Sequence, residues 1–187
     1  MDLTDMETNS SVNRSGHNMP IHNPGERRKR IMTALRPEEV VKRFFDEVRS
    51  GKKLAAAPDL MAGKVFAHQV QSEQEVTVER TPEVYAEHVQ EMLDAYGPFT
   101  LEVQELLGSG DRVYVRWKQT GTHIGEVEGY PPTGLPVIEL ASAVYRVENG
   151  KIAEYWIQID RAGIERQLKR NAAEAEAAIV TADGAAD

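Results

Sequence analysis

The chain has no cysteine, only two tryptophans and four phenylalanines in 187 residues, and no apolar run long enough to cross a bilayer. The first absence excludes disulfides, thiolate nucleophiles and cysteine-ligated metals together. Without a run near 18 apolar residues there is no membrane-spanning helix to expect, and the N-terminus carries no apolar secretory core. Positive charge is also in deficit. Lys and Arg number 22 against 30 Asp and Glu, a formal net charge of −8, whereas a nucleic-acid binder would present a basic face. A cytoplasmic protein with no nucleic-acid and no membrane partner is the expectation. Five histidines are present, but none stand in a His-x-x-x-His spacing, so no metal site is expected either.

What is present is a folded middle between two polar ends. Residues 1–35 are rich in Asn, Ser, Asp and Glu, end in the basic run Arg27-Arg28-Lys29-Arg30, and read as a flexible arm. The domain is expected over 36–170, and residues 171–187, rich in Ala and Glu, as a fraying tail. Pro37 at a first helical position, with Glu38 and Glu39 behind it, opens a helix whose apolar stripe is Val40, Val41, Phe44, Phe45 and Val48. A short second helix over 53–62 is bounded by Pro58 and Gly63. Two strands follow, over 64–71 and 75–79. Thr81 and Pro82 then start a third helix that Gly97 ends, with Tyr85, Val89, Met92, Leu93 and Tyr96 on one face. Four more strands, over 99–107, 112–125, 136–147 and 152–160, precede a final helix from Arg161 to about Arg170. The order α-α-β-β-α-β-β-β-β plus a C-terminal helix predicts an α+β fold, a curved and mostly antiparallel sheet wrapped over helices.

Asn149-Gly150 between two alternating runs predicts a type I′ hairpin. Carried along the ladder without interruption, that turn puts Glu139, Ala141, Ala143, Tyr145, Glu154, Trp156, Gln158 and Asp160 on one face. Small alanines opposite a tryptophan, a glutamine and two acids describe a lined pocket. The other face, with Ile138, Leu140, Val144, Ile157 and Ile159, is apolar enough to require cover, and a homodimer formed sheet to sheet is expected.

Several segments in fixed order resemble one family. They are Gly110 to Trp117, Gly121-Thr122-His123-Ile124-Gly125-Glu126, Gly129-Tyr130-Pro131-Pro132-Thr133-Gly134, Tyr145 to Trp156, then Asp160, Gly163, Gln167 and Leu168. Over about Arg36 to Leu168 the chain resembles the SnoaL-like polyketide cyclases, also called ester cyclases, within the superfamily of nuclear transport factor 2 (NTF2) and ketosteroid isomerase. The resemblance implies an NTF2-like cone and a small hydrophobic or polyketide-like substrate. It also implies an intramolecular aldol closure, or a related isomerisation of a carbonyl compound, run by a lyase or isomerase without metal or organic cofactor. In such enzymes an aspartate at the end of the last strand is the acid/base, and Asp160 matches it. His123 and His68 match positions where the family often places histidine, and a pocket histidine can bond a developing enolate oxygen. Glu139 across the ladder would raise the proton affinity of Asp160, and Trp156, Gln158, Glu139, Trp117 and Tyr85 are the expected substrate-binding residues. The chain departs from many relatives in carrying Ile157, rather than an acid, directly after the tryptophan. Asp160 also stands where a helix N-cap belongs. A non-catalytic protein of the same fold, binding a small ligand or serving as a dimeric interaction module, is therefore the alternative.

Overall fold

The computed structural model describes residues 35–183, so all but the last residue of the expected arm, and residues 184–187, lie outside the described part. Helix α1 spans Pro37–Phe44, and the Glu39 carboxylate accepts a bond from the Arg36 amide (2.9 Å), closing its first turn. The predicted stripe is the buried stripe: Val40, Val41, Phe44, Phe45 and Val48 are at most 1% exposed. Beyond Phe44 the helix widens into a π-helical turn, Phe45–Arg49, whose inner side carries Arg49 beside Phe45 and Val48. Gly51, at φ +75°, ends the segment. A 3₁₀ turn, Leu54–Ala56, leads into the one-turn helix α2 (Ala57–Leu60).

Strands β1 (Met61–Gln69) and β2 (Val76–Arg80) form a hairpin, and α3 (Pro82–Tyr96) is capped by the Thr81 hydroxyl, which accepts from the Val84 amide. Strands β3 (Thr100–Ser109), β4 (Arg112–Thr122), β5 (Pro136–Glu148) and β6 (Lys151–Ile159) follow, then α4 (Arg161–Asp183). The sheet is six-stranded, curved and unclosed, in the order β2-β1-β6-β5-β4-β3, and only the β1–β6 pair is parallel. This is the α+β arrangement that the element order predicts, and the NTF2-like cone that the resemblance implies. Its inner face packs on α1 and α3 through an aromatic cluster, with Phe44 and Phe45 against Tyr85, Trp117 and Tyr145 at ring-centre distances of 5.1 to 5.8 Å.

The hairpin between β5 and β6 has positive φ at both Asn149 and Gly150, as a type I′ turn requires, and it pairs Glu148 with Lys151 and Val147 with Ile152. The next step breaks the expected ladder. Ala153 is an extra residue in β6, so Glu154 pairs with Arg146, Tyr155 with Tyr145, Trp156 with Val144, Ile157 with Ala143, Gln158 with Ser142 and Ile159 with Ala141. A one-residue bulge moves every later side chain to the opposite face. Trp156 and Gln158 therefore leave the inner face expected of them, and Ile157 and Ile159 take their place. For β5 the assignment holds: Val137, Ala141, Ala143 and Tyr145 are buried on the inner side, with Glu139 among them.

The final helix does not fray after Arg170 but continues to Asp183, because Asn171 to Ala178 is dominated by strong helix formers. Its side chains also complete the sheet. Where β6 stops, β5 runs on, and the Gln167 carboxamide bonds both the amide (2.9 Å) and the carbonyl (2.8 Å) of Ile138 as a neighbouring strand would. Asn171, 2% exposed, donates to the Pro136 carbonyl (2.9 Å). None of the described helices is long and apolar enough to cross a membrane.

Candidate active site

Curvature leaves a cavity of about 270 Å³ between α3 and the inner face of β1, β5 and β6. Tyr85, His88 and Met92 of α3 form one wall, and Tyr145, Tyr155, Ile157 and Ile159 form the other. Glu139 lies at the floor, and Arg49, Arg80 and Arg161 reach in from the first helix, the end of β2 and the start of α4. A second lobe of about 180 Å³ continues past Met92 to Tyr96, Glu128 and Ile164.

The floor is a buried polar network. Arg49 donates to the Gln119 carboxamide oxygen (2.7 Å) and to Glu139 Oε1 (2.9 Å), and the Trp117 indole N–H donates to the same Oε1 (3.1 Å). The guanidinium also lies over the rings of Phe99 and Trp117, at 5.8 and 5.6 Å from their centres. Only one oxygen of Glu139 is engaged; among the described residues its Oε2 has no hydrogen-bond partner, and Glu139 lines both lobes. A carboxylate that lines a cavity, positioned by two donors on one oxygen and with the other oxygen unpartnered, is arranged to accept a proton.

The hydroxyls around it stay protonated. Burial raises the phenols of Tyr85, Tyr145 and Tyr155 above the ordinary tyrosine range. Tyr96 is pushed up to about 12, by burial first and then by the nearby Glu139 and Glu128 carboxylates. His88 moves the other way: burial, reinforced by Arg80, lowers its pKa, so its imidazole is neutral at pH 7. The cavity thus holds a carboxylate, a neutral imidazole and several phenolic donors.

Of the residues expected from sequence, Tyr85 and Glu139 line this cavity, and Trp117 sits just behind it, fully buried and bonded to Glu139. The others lie elsewhere. Asp160 is exposed; its Oδ1 accepts from the Gly163 amide (2.8 Å), capping α4, and it lines a separate pocket on the outer face with Gln158 and Arg116. Bulging at Ala153 is the reason: it turns that end of β6 over, so Asp160 does not come to face Glu139. Trp156, on the outer face, is stacked on His68 (ring centres 5.0 Å apart, planes at 12°) with the Arg112 guanidinium 4.7 Å from its ring centre. His68 is bonded through Nδ1 to Thr77 (2.8 Å) and through Nε2 to Glu154 (2.9 Å), and it belongs to that outer cluster. His123 is wholly buried at the end of β4, with Nδ1 3.3 Å from the Thr133 hydroxyl and Nε2 unpartnered among the described residues, outside the lining of either lobe. Among the described residues no three metal-ligating side chains converge.

The sequence pattern assigns no role to Arg49, Arg80 and Arg161, and it reads His88, at the edge of the α3 stripe, as structural. Arg80 carried a signal, since it shares strand parity with Val76 and Val78, and so did His88, on the flank of the α3 stripe. Arg49 depends on a π turn that no local pattern announces.

The sequence profile of the SnoaL-like polyketide cyclases matches residues 39–168. A candidate polyketide cyclase from Acidithiobacillus ferrooxidans superposes with a TM-score of 0.64 at 25% identity, covering 75% of this chain and 99% of its own. IdmH, a candidate polyketide cyclase from Streptomyces antibioticus, gives 0.62 at 25% identity, covering 72% of this chain and 99% of its own. AclR, a candidate hydroxylase from Streptomyces galilaeus, shares the fold at 24% identity with a TM-score of 0.57, covering 68% of this chain and 83% of its own. No curated protein matches the sequence.

Proposed function

The chain belongs to the SnoaL-like polyketide cyclase family, and on that premise we propose that it catalyses a cofactor-free, acid/base rearrangement of a carbonyl compound held in the inner cavity. The most specific form of this reading is an intramolecular aldol closure; the coarser form is enolisation followed by reprotonation elsewhere. The observation that carries it is Glu139, which lines the cavity with Oε1 bound by Arg49 and Trp117 and Oε2 without a partner among the described residues. Glu139 removes a proton from the carbon next to a substrate carbonyl. Phenolic donors such as Tyr85 and Tyr96, whose protons are firmly held, bond the enolate oxygen as its charge develops. In the closure, the enolate carbon attacks a second carbonyl of the same molecule, one carbon–carbon bond forms, and the new alkoxide takes a proton back from Glu139 or, through water, from solvent. Nothing is oxidised or reduced. On this reading Asp160 is a helix cap and Glu139 is the acid/base.

Its direct test is proton exchange. A small β-diketone incubated with the protein in D₂O is expected to exchange its α-hydrogens faster than buffer allows, followed by NMR, and exchange at the buffer rate would overturn the reading. One observation favours a second reading, binding without turnover: the inward position directly after Trp156, where many relatives carry an acid, is Ile157. Saturable binding with no exchange would select it.

The same reading includes a homodimer, in the cytoplasm that the lack of cysteine suits. Ile157 and Ile159 line the cavity, so they do not contribute to the sheet-to-sheet surface expected of them. The outer face instead exposes Phe66 (39%), Leu107 (58%) and Leu140 (48%), with Val144 half-buried between. A dimer through this face is expected to sediment as such at micromolar concentration, and Leu140→Asp to shift it to monomer; a wild-type monomer would contradict it.

A further inference from the structure

The protein as a whole is acidic, with a formal net charge of −8, yet its cavity is basic. Three guanidinium groups, from Arg49, Arg80 and Arg161, line the first lobe against one carboxylate, Glu139. Arg49 is spent on Glu139 and Gln119. The other two are not neutralised. Arg161 donates to the neutral Gln69 carboxamide (3.0 Å) and forms no ion pair among the described residues. Arg80 forms neither an ion pair nor a side-chain hydrogen bond among them, and its Nε is buried without a partner. A buried donor left unsatisfied is costly, and a charged one more so, unless a ligand completes it. Gln69 at the end of β1, Arg80 at the end of β2 and Arg161 at the start of α4 all line this lobe.

We infer that Arg80 and Arg161 form an anion subsite at the cavity mouth, and that the molecule bound there carries a carboxylate or another planar oxyanion attached to an apolar body. The chemistry fits both halves of the lobe. Guanidinium groups pair in a planar, two-bond geometry with carboxylates. Tyr85, Tyr155, Ile157 and Ile159 supply the apolar walls of the same lobe. Overall negative charge works against capture of an anion at long range, so selection comes from the local pair of arginines. Holding the substrate by its anionic end fixes which of its carbons meets Glu139, and a positioned reactant is a large part of any rate gain. This inference rests on the proposed function for the use of the anchor, but its test does not depend on turnover.

The experiment compares two probes of nearly equal shape, 2-naphthoate and the neutral 2-naphthamide, titrated against the full chain by calorimetry and by quenching of tyrosine and tryptophan fluorescence. The naphthoate is expected to bind about tenfold or more tightly than the amide, the gap that charge-assisted hydrogen bonds give. Arg80→Gln and Arg161→Gln should each shrink the gap, and the double variant should abolish it. Arg116→Gln, on the outer face, should leave the gap intact. Equal affinity of the two probes for the wild-type chain, or a preference that survives the double variant, would overturn the subsite. Arg80→Lys covers the case in which Arg80→Gln disturbs folding, since it keeps the charge and should keep a reduced preference. Failure here with α-hydrogen exchange intact would remove the anion subsite alone; failure of exchange with the preference intact would remove the catalytic reading alone.

Discussion

Replacing Glu139 with Gln is expected to lower turnover on an enolisable substrate by about 10² to 10⁴, the range a positioned general base contributes. The substitution keeps the side-chain length and an oxygen able to accept from Arg49 and Trp117, so those hydrogen bonds can persist while the proton acceptor is lost; it leaves the Arg49 charge unpaired and costs stability, so the rate is compared per folded protein. Asp160→Asn is the necessary companion. Its carboxamide oxygen can still accept from the Gly163 amide, so both the rate and the melting temperature should stay near wild type. Asp160→Ala, which removes the acceptor, should cost stability of about 1 kcal/mol, the usual value of an N-cap, and again spare the rate. Initial rates and thermal melts on the three variants decide it. A wild-type rate in Glu139→Gln, or a rate lost in Asp160→Asn at unchanged stability, would return the acid/base role to Asp160.

The largest effect on stability is expected at Arg49. Its side chain is 6% exposed and that of Glu139 14%, so the pair is held almost entirely out of water. Removing one member of such a pair strands the other charge in a poorly solvated place, at a cost of about 3 to 5 kcal/mol. Arg49→Met fills most of the same volume, so the loss measured would be chiefly that of the stranded carboxylate. Urea unfolding with an unchanged slope is the measurement. Adding Glu139→Gln to Arg49→Met should recover part of the loss, because the stranded group is then neutral. A loss below about 1 kcal/mol in the single variant would place the pair in the class of solvated ion pairs instead.

Much of the fold could be read without coordinates because its punctuation is local. Pro37, Thr81 with Pro82, Gly97 and Asn149-Gly150 each impose a backbone conformation wherever they occur, and each marks the boundary expected of it. Site geometry is less accessible because it depends on parity summed along a strand, and one extra residue reverses it. Yet β6 carries a trace of that residue. Ile152 is apolar on the even positions, whereas Tyr155, Ile157 and Ile159 are apolar on the odd ones, and all four share the inner face only if the phase changes between them. A strict alternation accepted from the turn concealed the change. Glu139 and Tyr85 were legible as inward-facing because neither depends on that stretch. Arg49, Arg80 and Arg161 were not, because an arginine in sequence reads as surface until the surrounding walls are known.

The amide side chains of α4 have a consequence beyond holding the helix in place. A strand that outruns its neighbour presents bare N–H and C=O groups, and these can recruit a strand from another molecule and begin an extended aggregate. On β5 that stretch is occupied: Gln167 takes both groups of Ile138 and Asn171 takes the carbonyl of Pro136. Two carboxamides thus act as a chaperone written into the chain, closing the overhang to strangers with groups that cannot themselves be extended by a further strand.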